Sequence, residues 1–257
     1  MKKIRINKGE NHKIPCLMEI PENPERIVIM VHGFTSSKSC ATAELLFRRL
    51  PEKNIGVVTY DQPGHGEEEA FTDPLGVGNC IESLRLIEEF VVSEYPDVPV
   101  GYFGSSFGAY ITCLYISTME HRGRKAFLRS AAVNMPELII TPLKKAWSPE
   151  IEEQLRKDGF IQPDLGLGAT MKIPAGFIRE LDENRLEDIF DNERFGHTEL
   201  EFVHGSDDPV VNPSATEAFA KKYGFKRTVI DGEGHSICNR KESPDKVADL
   251  AIEFFKS

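Results

Sequence analysis

Three residues in glycine-marked loops, Ser106, Asp208 and His235, have the types needed for a nucleophile, an orienting acid and a general base. A serine hydroxyl is a weak nucleophile until a base takes its proton. A histidine suits that task near neutral pH. An acid on the far side of the ring holds its tautomer and stabilises the imidazolium. Ser106 sits at the centre of Gly104-Ser105-Ser106-Phe107-Gly108, a G-x-S-x-G spacing. Such a turn between a strand and a helix forces the middle serine into strained geometry and lifts its Oγ above the sheet edge. Ser105 is out of frame for that role. Asp208 lies in Gly205-Ser206-Asp207-Asp208-Pro209, with Asp207 as the reserve acid, and His235 in Gly234-His235-Ser236. The chemistry these residues would perform is acyl transfer through a covalent serine intermediate.

Such side chains need a scaffold that brings distant loops to one edge. Ile27–Val31 is a continuous apolar run, as expected of a strand covered on both faces, and Gly56–Tyr60, the apolar run ending at Phe103 and Ala126–Val133 read as further strands. Between them lie helical patterns at Ala41–Leu50, at Asn79–Ser93 (Cys80, Leu84, Ile87 and Val91 on one face) and at Ala109–Met119, followed by a basic helix end at His121–Lys125. Alternating strand and helix implies a parallel sheet with right-handed crossovers. Ile4–Asn7 and Cys16–Ile20 read as an antiparallel hairpin at the sheet edge. The alternation stops over residues 134–195, where three prolines precede helical pieces at Glu150–Lys157 and Ala175–Phe190. Gly159–Gly168 lies between them as loop or hairpin. A long insertion of this kind is expected to act as a lid on a core formed by residues 1–133 and 196–257. The alternation then resumes with Thr198–Val203, Pro213–Tyr223, Lys226–Ile230 and Asp245–Phe255. Each chemistry-bearing loop follows a strand, so all fall at the carboxyl edge of the sheet.

The length, 257 residues, suits one large core. A formal net charge of −10 argues against a nucleic-acid or anionic-membrane partner. No window approaches the roughly 18 apolar residues of a membrane span. The basic start, Met1–Lys8, leads into no apolar segment, so no secretory signal is expected. Five scattered cysteines without a C-x-x-C pair fit a reducing cytoplasm better than a disulfide framework or a zinc site. No residue cluster has metal-ligand spacing and no loop reads as a phosphate cradle, so neither a metal nor a cofactor is expected.

Five segments in order carry a family resemblance: His32-Gly33-Phe34, Asp61–Gly66, Gly104–Gly108, Gly205–Val211 and Gly234-His235-Ser236. From about residue 16 to the end the chain resembles the α/β-hydrolase fold superfamily. It is similar there to lid-bearing carboxylesterases, among them feruloyl/cinnamoyl esterases and monoacylglycerol-lipase-like enzymes. The order Ser106, Asp208, His235 is the one that architecture uses. The resemblance implies an oxyanion hole at the backbone N–H groups of Phe34 and Phe107. The activity it implies is hydrolysis of small to medium acyl or aryl esters, with a small-molecule ester as the partner. A serine aminopeptidase, an acyltransferase and a non-catalytic binding protein on the same fold stay open. For a peptidase, Asp164 and Glu180 are available to meet a substrate amine.

Trp147, Phe160, Met171 and Phe177 in the insertion are candidates for lining an acyl or aryl pocket, with the insertion's own core as the competing role. His32, His65 and His204 read as structural, Cys238 as a small buried residue, and Glu67–Glu69 as a solvated acidic run. The first strands or the insertion offer surfaces for a homodimer.

Overall fold

The computed structural model describes residues 1–9, 12–66, 73–163 and 171–257. The Glu67–Glu69 run and Asp164 lie outside the described residues. Eight strands form one sheet: β1 (Lys2–Asn7), β2 (Lys13–Glu19), β3 (Arg26–Val31), β4 (Ile55–Tyr60), β5 (Val100–Ser105), β6 (Lys125–Arg129), β9 (Glu199–Gly205) and β10 (Lys226–Ile230). Their order is β1-β2-β4-β3-β5-β6-β9-β10. From β4 to β10 every pairing is parallel. The β1–β2 hairpin and the β2–β4 pairing are antiparallel.

Side chains alternate across the pleat, and both faces of the central strands are buried. From β3, Ile27, Ile29 and Val31 join the core under α2 (Val77–Glu94) and α3 (Phe107–Thr118). Val28 and Met30 join the core under α1 (Ala41–Arg49) and α9 (Ser243–Lys256). The amphipathic stripe of α2 is as its spacing predicts, with Cys80, Leu84, Ile87 and Val91 all inaccessible.

Three departures from the sequence reading have local causes. The strand expected to reach Val133 ends at Arg129, because Ser130 takes a φ of 47° and turns the chain away. The basic helix end is absent: α3 stops at Thr118, and His121 is buried with Nε2 2.9 Å from Thr198 Oγ1. Ala175–Phe190 divides into α6 (Ala175–Glu183) and α7 (Leu186–Ile189). Tyr110 Oη donates to the carbonyl of Asn184 at the break, 2.7 Å away.

The insertion opens with a helix that its prolines concealed, α4 (Met135–Ala146). Pro136 occupies the first turn, where no intrahelical N–H bond is needed. Pro142 lies inside the helix, whose buried face of Met135, Ile139, Ile140 and Leu143 holds it in place. Then come α5 (Pro149–Asp158) and a two-stranded pair, β7 (Phe160–Ile161) with β8 (Ile173–Pro174). After the insertion α8 (Pro213–Tyr223) joins β9 to β10.

Candidate active site

Ser106 stands between β5 and α3 with φ 54° and ψ −116°, a conformation disfavoured for any residue with a Cβ. Small neighbours make that turn possible. A Cβ on Gly104 would lie 2.6 Å from Ala109 Cα, and one on Gly108 would overlap the Val31 carbonyl. Strand β3 and helix α3 therefore touch where the sequence has glycine. Gly33, in the loop after β3, faces Ser106 so closely that its Cβ would meet Ser106 Cβ at 3.3 Å.

His235 follows β10. Its Nε2 lies 3.0 Å from Ser106 Oγ, and its Nδ1 lies 2.8 Å from Asp208 Oδ2. Asp208 follows β9 and is buried. Asp207 is exposed and its carboxylate accepts from Ser206 Oγ at 2.7 Å, away from His235. The structure thus brings Ser106, His235 and Asp208 together and leaves Asp207 at the surface.

Every lone-pair direction of Asp208 is in use. Oδ1 accepts from the N–H groups of Val210 (2.8 Å) and Val211 (3.0 Å). Oδ2 accepts from His235 and also from His204 Nε2 at 2.9 Å. Burial alone would raise the pKa of Asp208. The hydrogen bonds from His204 and His235, the charge of His235 and the Val211 N–H outweigh it and hold the carboxyl well below its usual range. His204 is fully buried. Its Nε2 faces two acceptors, Asp208 Oδ2 and the Val211 carbonyl (3.1 Å), so Nε2 carries the hydrogen, and its Nδ1 meets no partner among the described residues. Its spacing four residues before the acid was the available signal for this contact.

The His235 loop is anchored from several sides. Ser130 Oγ and Arg129 Nη1 both donate to the His235 carbonyl, at 2.8 and 2.9 Å. Arg129 Nη2 donates to Ser105 Oγ at 2.7 Å. Buried Glu233 accepts from the N–H groups of Asn239 and Arg240 and from Ser243 Oγ. These anchors were missed in the sequence. For Arg129 the signal was a charged residue closing an otherwise apolar strand. Cys238 is exposed rather than buried, because Ile237, at φ 50°, takes the inward position beside it.

His32 and His65 have structural positions. His32 Nδ1–H donates to the Gly33 carbonyl at 2.8 Å, and its Nε2 accepts from the Gln62 N–H at 3.0 Å. Burial pulls its pKa down to about 4. Burial and the neighbouring His32 pull His65 down to about 3. The Phe34 and Phe107 N–H groups donate to no acceptor among the described residues.

Among the described residues, two cavities include Ser106 in their lining. One, about 660 Å³, is lined by Met135, Leu138, Ile139 and Pro142 of α4 and by Val210 and Val211. The other, about 330 Å³, lies toward α1 and α9 and is lined by Thr35, Cys40, Leu45, Arg129 and Cys238 among others. Trp147, Phe160, Met171 and Phe177 line neither. Trp147 is 45% exposed at the end of α4. Phe160 opens β7, under Lys172 Nζ. Met171 and Phe177 are buried, and Phe177 packs its ring 6.0 Å from those of Phe34 and Phe107. Glu180 accepts from the Gly78 N–H at 3.0 Å, at the start of α2. The insertion reaches Ser106 through α4, which carries Pro136 and Pro142. Among the described residues no cluster of histidine, cysteine and carboxylate groups could hold a metal ion. No helix among them is long and apolar enough to cross a membrane.

Residues 22–160, more than half of the chain, match the family model described as serine aminopeptidase, S33. The chain belongs to that family. Solved structures share its α/β-hydrolase fold over almost the whole length. Est1E of Butyrivibrio proteoclasticus, determined with ferulic acid bound, is 20% identical with a TM-score of 0.79, covering 99% of this chain and 100% of Est1E. The esterase domain of a Rhodothermus marinus protein is 18% identical with a TM-score of 0.73, covering 98% and 96%. The esterase EaEST of Exiguobacterium antarcticum is 17% identical with a TM-score of 0.66, covering 98% and 99%. No curated protein sequence matches the chain significantly. Membership of the family makes the chain a hydrolase-family member with a mostly parallel eight-stranded sheet.

Proposed function

We infer that the protein is a serine carboxylesterase acting on esters of small to medium acyl or aryl acids, with Ser106, His235 and Asp208 as its triad. The observation that carries this reading is the chain of contacts from Ser106 Oγ to His235 (3.0 Å) to Asp208 (2.8 Å) at a strained turn. His235 Nε2 takes the Ser106 proton as Oγ attacks the ester carbonyl. Asp208 keeps the ring's other hydrogen on Nδ1 and stabilises the imidazolium. The negative charge that develops on the carbonyl oxygen is met by the Phe34 and Phe107 N–H groups, which have no other acceptor among the described residues. A donor of this kind is typically worth about 2.7–4 kcal/mol in the transition state. The imidazolium then protonates the leaving alcohol, and water activated by His235 hydrolyses the acyl-enzyme.

The insertion over residues 134–195 acts as the lid, and α4 supplies the apolar wall of the acyl or aryl side. Est1E, solved with ferulic acid, lends support to an aryl ester. The family description favours an aminopeptidase, which would need a carboxylate for the substrate amine. Glu137 is the carboxylate lining the larger cavity, and it is ion-paired with Arg185, which favours the ester reading.

The test is intact-protein mass after exposure to a neutral fluorophosphonate, on wild type and Ser106→Ala, beside a p-nitrophenyl ester series from acetate to decanoate. One adduct per chain that disappears in the variant, with turnover of short or medium esters, is the expected result. Labelling without ester turnover would move the reading to peptidase or transferase. An unlabelled wild type would overturn the triad.

A further inference from the structure

The smaller cavity beside Ser106 holds a charge that the proposed ester chemistry does not use. Arg129 is 8% exposed and closes β6 after the apolar run Ala126–Leu128. Among the described residues its guanidinium donates to two neutral oxygens, the His235 carbonyl and Ser105 Oγ. Its Nε–H has no partner among the described residues. Of five N–H groups on the planar fork, two therefore have acceptors among the described residues.

Burying a cation costs several kcal/mol unless a counter-charge stands beside it. Elsewhere the chain supplies one: Lys38, 13% exposed, is paired with the fully buried Asp61. Arg129 forms no ion pair with a carboxylate among the described residues. The lining of its cavity contains no aspartate or glutamate, although the chain carries a net charge of −10. Asp208, the nearby triad acid, already accepts four hydrogen bonds.

A purely structural role does not explain the charge. The His235 carbonyl already receives Ser130 Oγ, and a neutral donor would complete that anchor equally well. The position does explain it. Arg129 lines a cavity of about 330 Å³ together with Ser106 and His235, so a group bound there belongs to the molecule whose ester bond is at Ser106. A guanidinium fork matches a carboxylate in shape and charge.

We propose that this cavity is a subsite for a carboxylate on the substrate, bound by Arg129, while the apolar cavity under α4 takes the other half of the ester. The proposal rests on the ester-hydrolase reading and narrows it to esters with one anionic and one apolar half.

Two probe pairs test it. O-butanoyl glycolate carries the carboxylate on the alcohol half, and monoethyl glutarate carries it on the acyl half. Each is compared with its primary amide, which keeps the shape and removes the charge. For one of the pairs, kcat/KM should favour the carboxylate about tenfold or more, as expected of a charge-assisted hydrogen bond. Arg129→Met should abolish that ratio and Arg129→Lys should retain part of it. The ratio cancels any general loss caused by disturbing His235. Calorimetric titration of Ser106→Ala with the same four compounds reads the subsite without turnover. Tighter binding of a carboxylate than of its amide there supports the subsite even if Ser106 is no nucleophile. A wild type that favours neither carboxylate, with Ser106→Ala equally indifferent, would refute the proposal whether or not Arg129 variants fold. Fluorophosphonate labelling in the same preparation shows separately whether the hydrolase reading stands.

Discussion

Asp208→Asn is the most demanding perturbation of the site. Each oxygen of Asp208 accepts two N–H donors: Val210 and Val211 on Oδ1, His204 and His235 on Oδ2. An amide group replaces one oxygen with a donor, so either orientation sets an NH2 against two N–H groups. Backbone N–H groups cannot change role, but an imidazole can exchange tautomers. The NH2 therefore settles at the Oδ2 position, and His235 turns its bare nitrogen toward it. Its hydrogen moves to Nε2, which then faces Ser106 Oγ as a donor and cannot accept the serine proton. In another serine–histidine–aspartate triad the same substitution lowers kcat about 10⁴-fold, equivalent to about 5 kcal/mol of transition-state stabilisation. Folding stability should fall by about 1.5–3 kcal/mol, the value of hydrogen bonds to a charged group. The assay is kcat on a short p-nitrophenyl ester together with the fluorophosphonate labelling rate, with a thermal melt confirming the fold. Asp207→Asn, whose carboxylate meets Ser206 at the surface, should leave both rates unchanged. A folded Asp208→Asn protein within tenfold of wild type would falsify the tautomer argument, and a large loss in Asp207→Asn would transfer the role to its neighbour.

Gly108→Ala should cost at least about 3 kcal/mol, the upper end for overpacking, because its Cβ would overlap backbone of β3 that cannot retreat; an unchanged urea midpoint would refute the close approach. Acid sensitivity follows from His32 and His65, whose folded pKa values of about 4 and about 3 lie below the ordinary histidine value of about 6.5. The unfolded chain binds more protons in that window, so stability is complete above about pH 6.5 and falls as the pH drops toward the folded values. At pH 5 each ring should cost about 2 kcal/mol, at 1.36 kcal/mol per unit. Urea unfolding at pH 7 and pH 5 measures this, and His65→Gln should shrink the difference by about 2 kcal/mol; an undiminished difference would contradict the burial argument.

The sequence determined the sheet and the elbow because both rest on local rules. Ile27–Val31 is apolar at every position, as a doubly covered strand requires, and Gly56–Tyr60 is so but for Thr59, whose buried hydroxyl donates to the Lys38 carbonyl. The glycines flanking Ser106 mark where a Cβ has no room. The loops bearing Asp208 and His235 follow strands, so their common edge followed from the alternation. What the sequence misread involved tertiary partners. Helix α4 holds despite Pro142 because its apolar face is buried, a compensation that intrinsic propensity does not contain. The separation of α6 from α7 is fixed by Tyr110, 74 residues away. The preference for Asp208 over Asp207 comes from the family resemblance at Gly205–Asp208, and burial and the contacts of His204, His235 and two backbone N–H groups distinguish their environments. Phe177 lies in the core and Pro142 at the cavity because side-chain direction depends on how helices dock, not on residue type. Arg129 was legible only as a charge at a strand end. That it is buried beside Ser106 and forms no ion pair with a carboxylate among the described residues is a property of the folded chain alone, since solvation of a charge depends on everything packed around it.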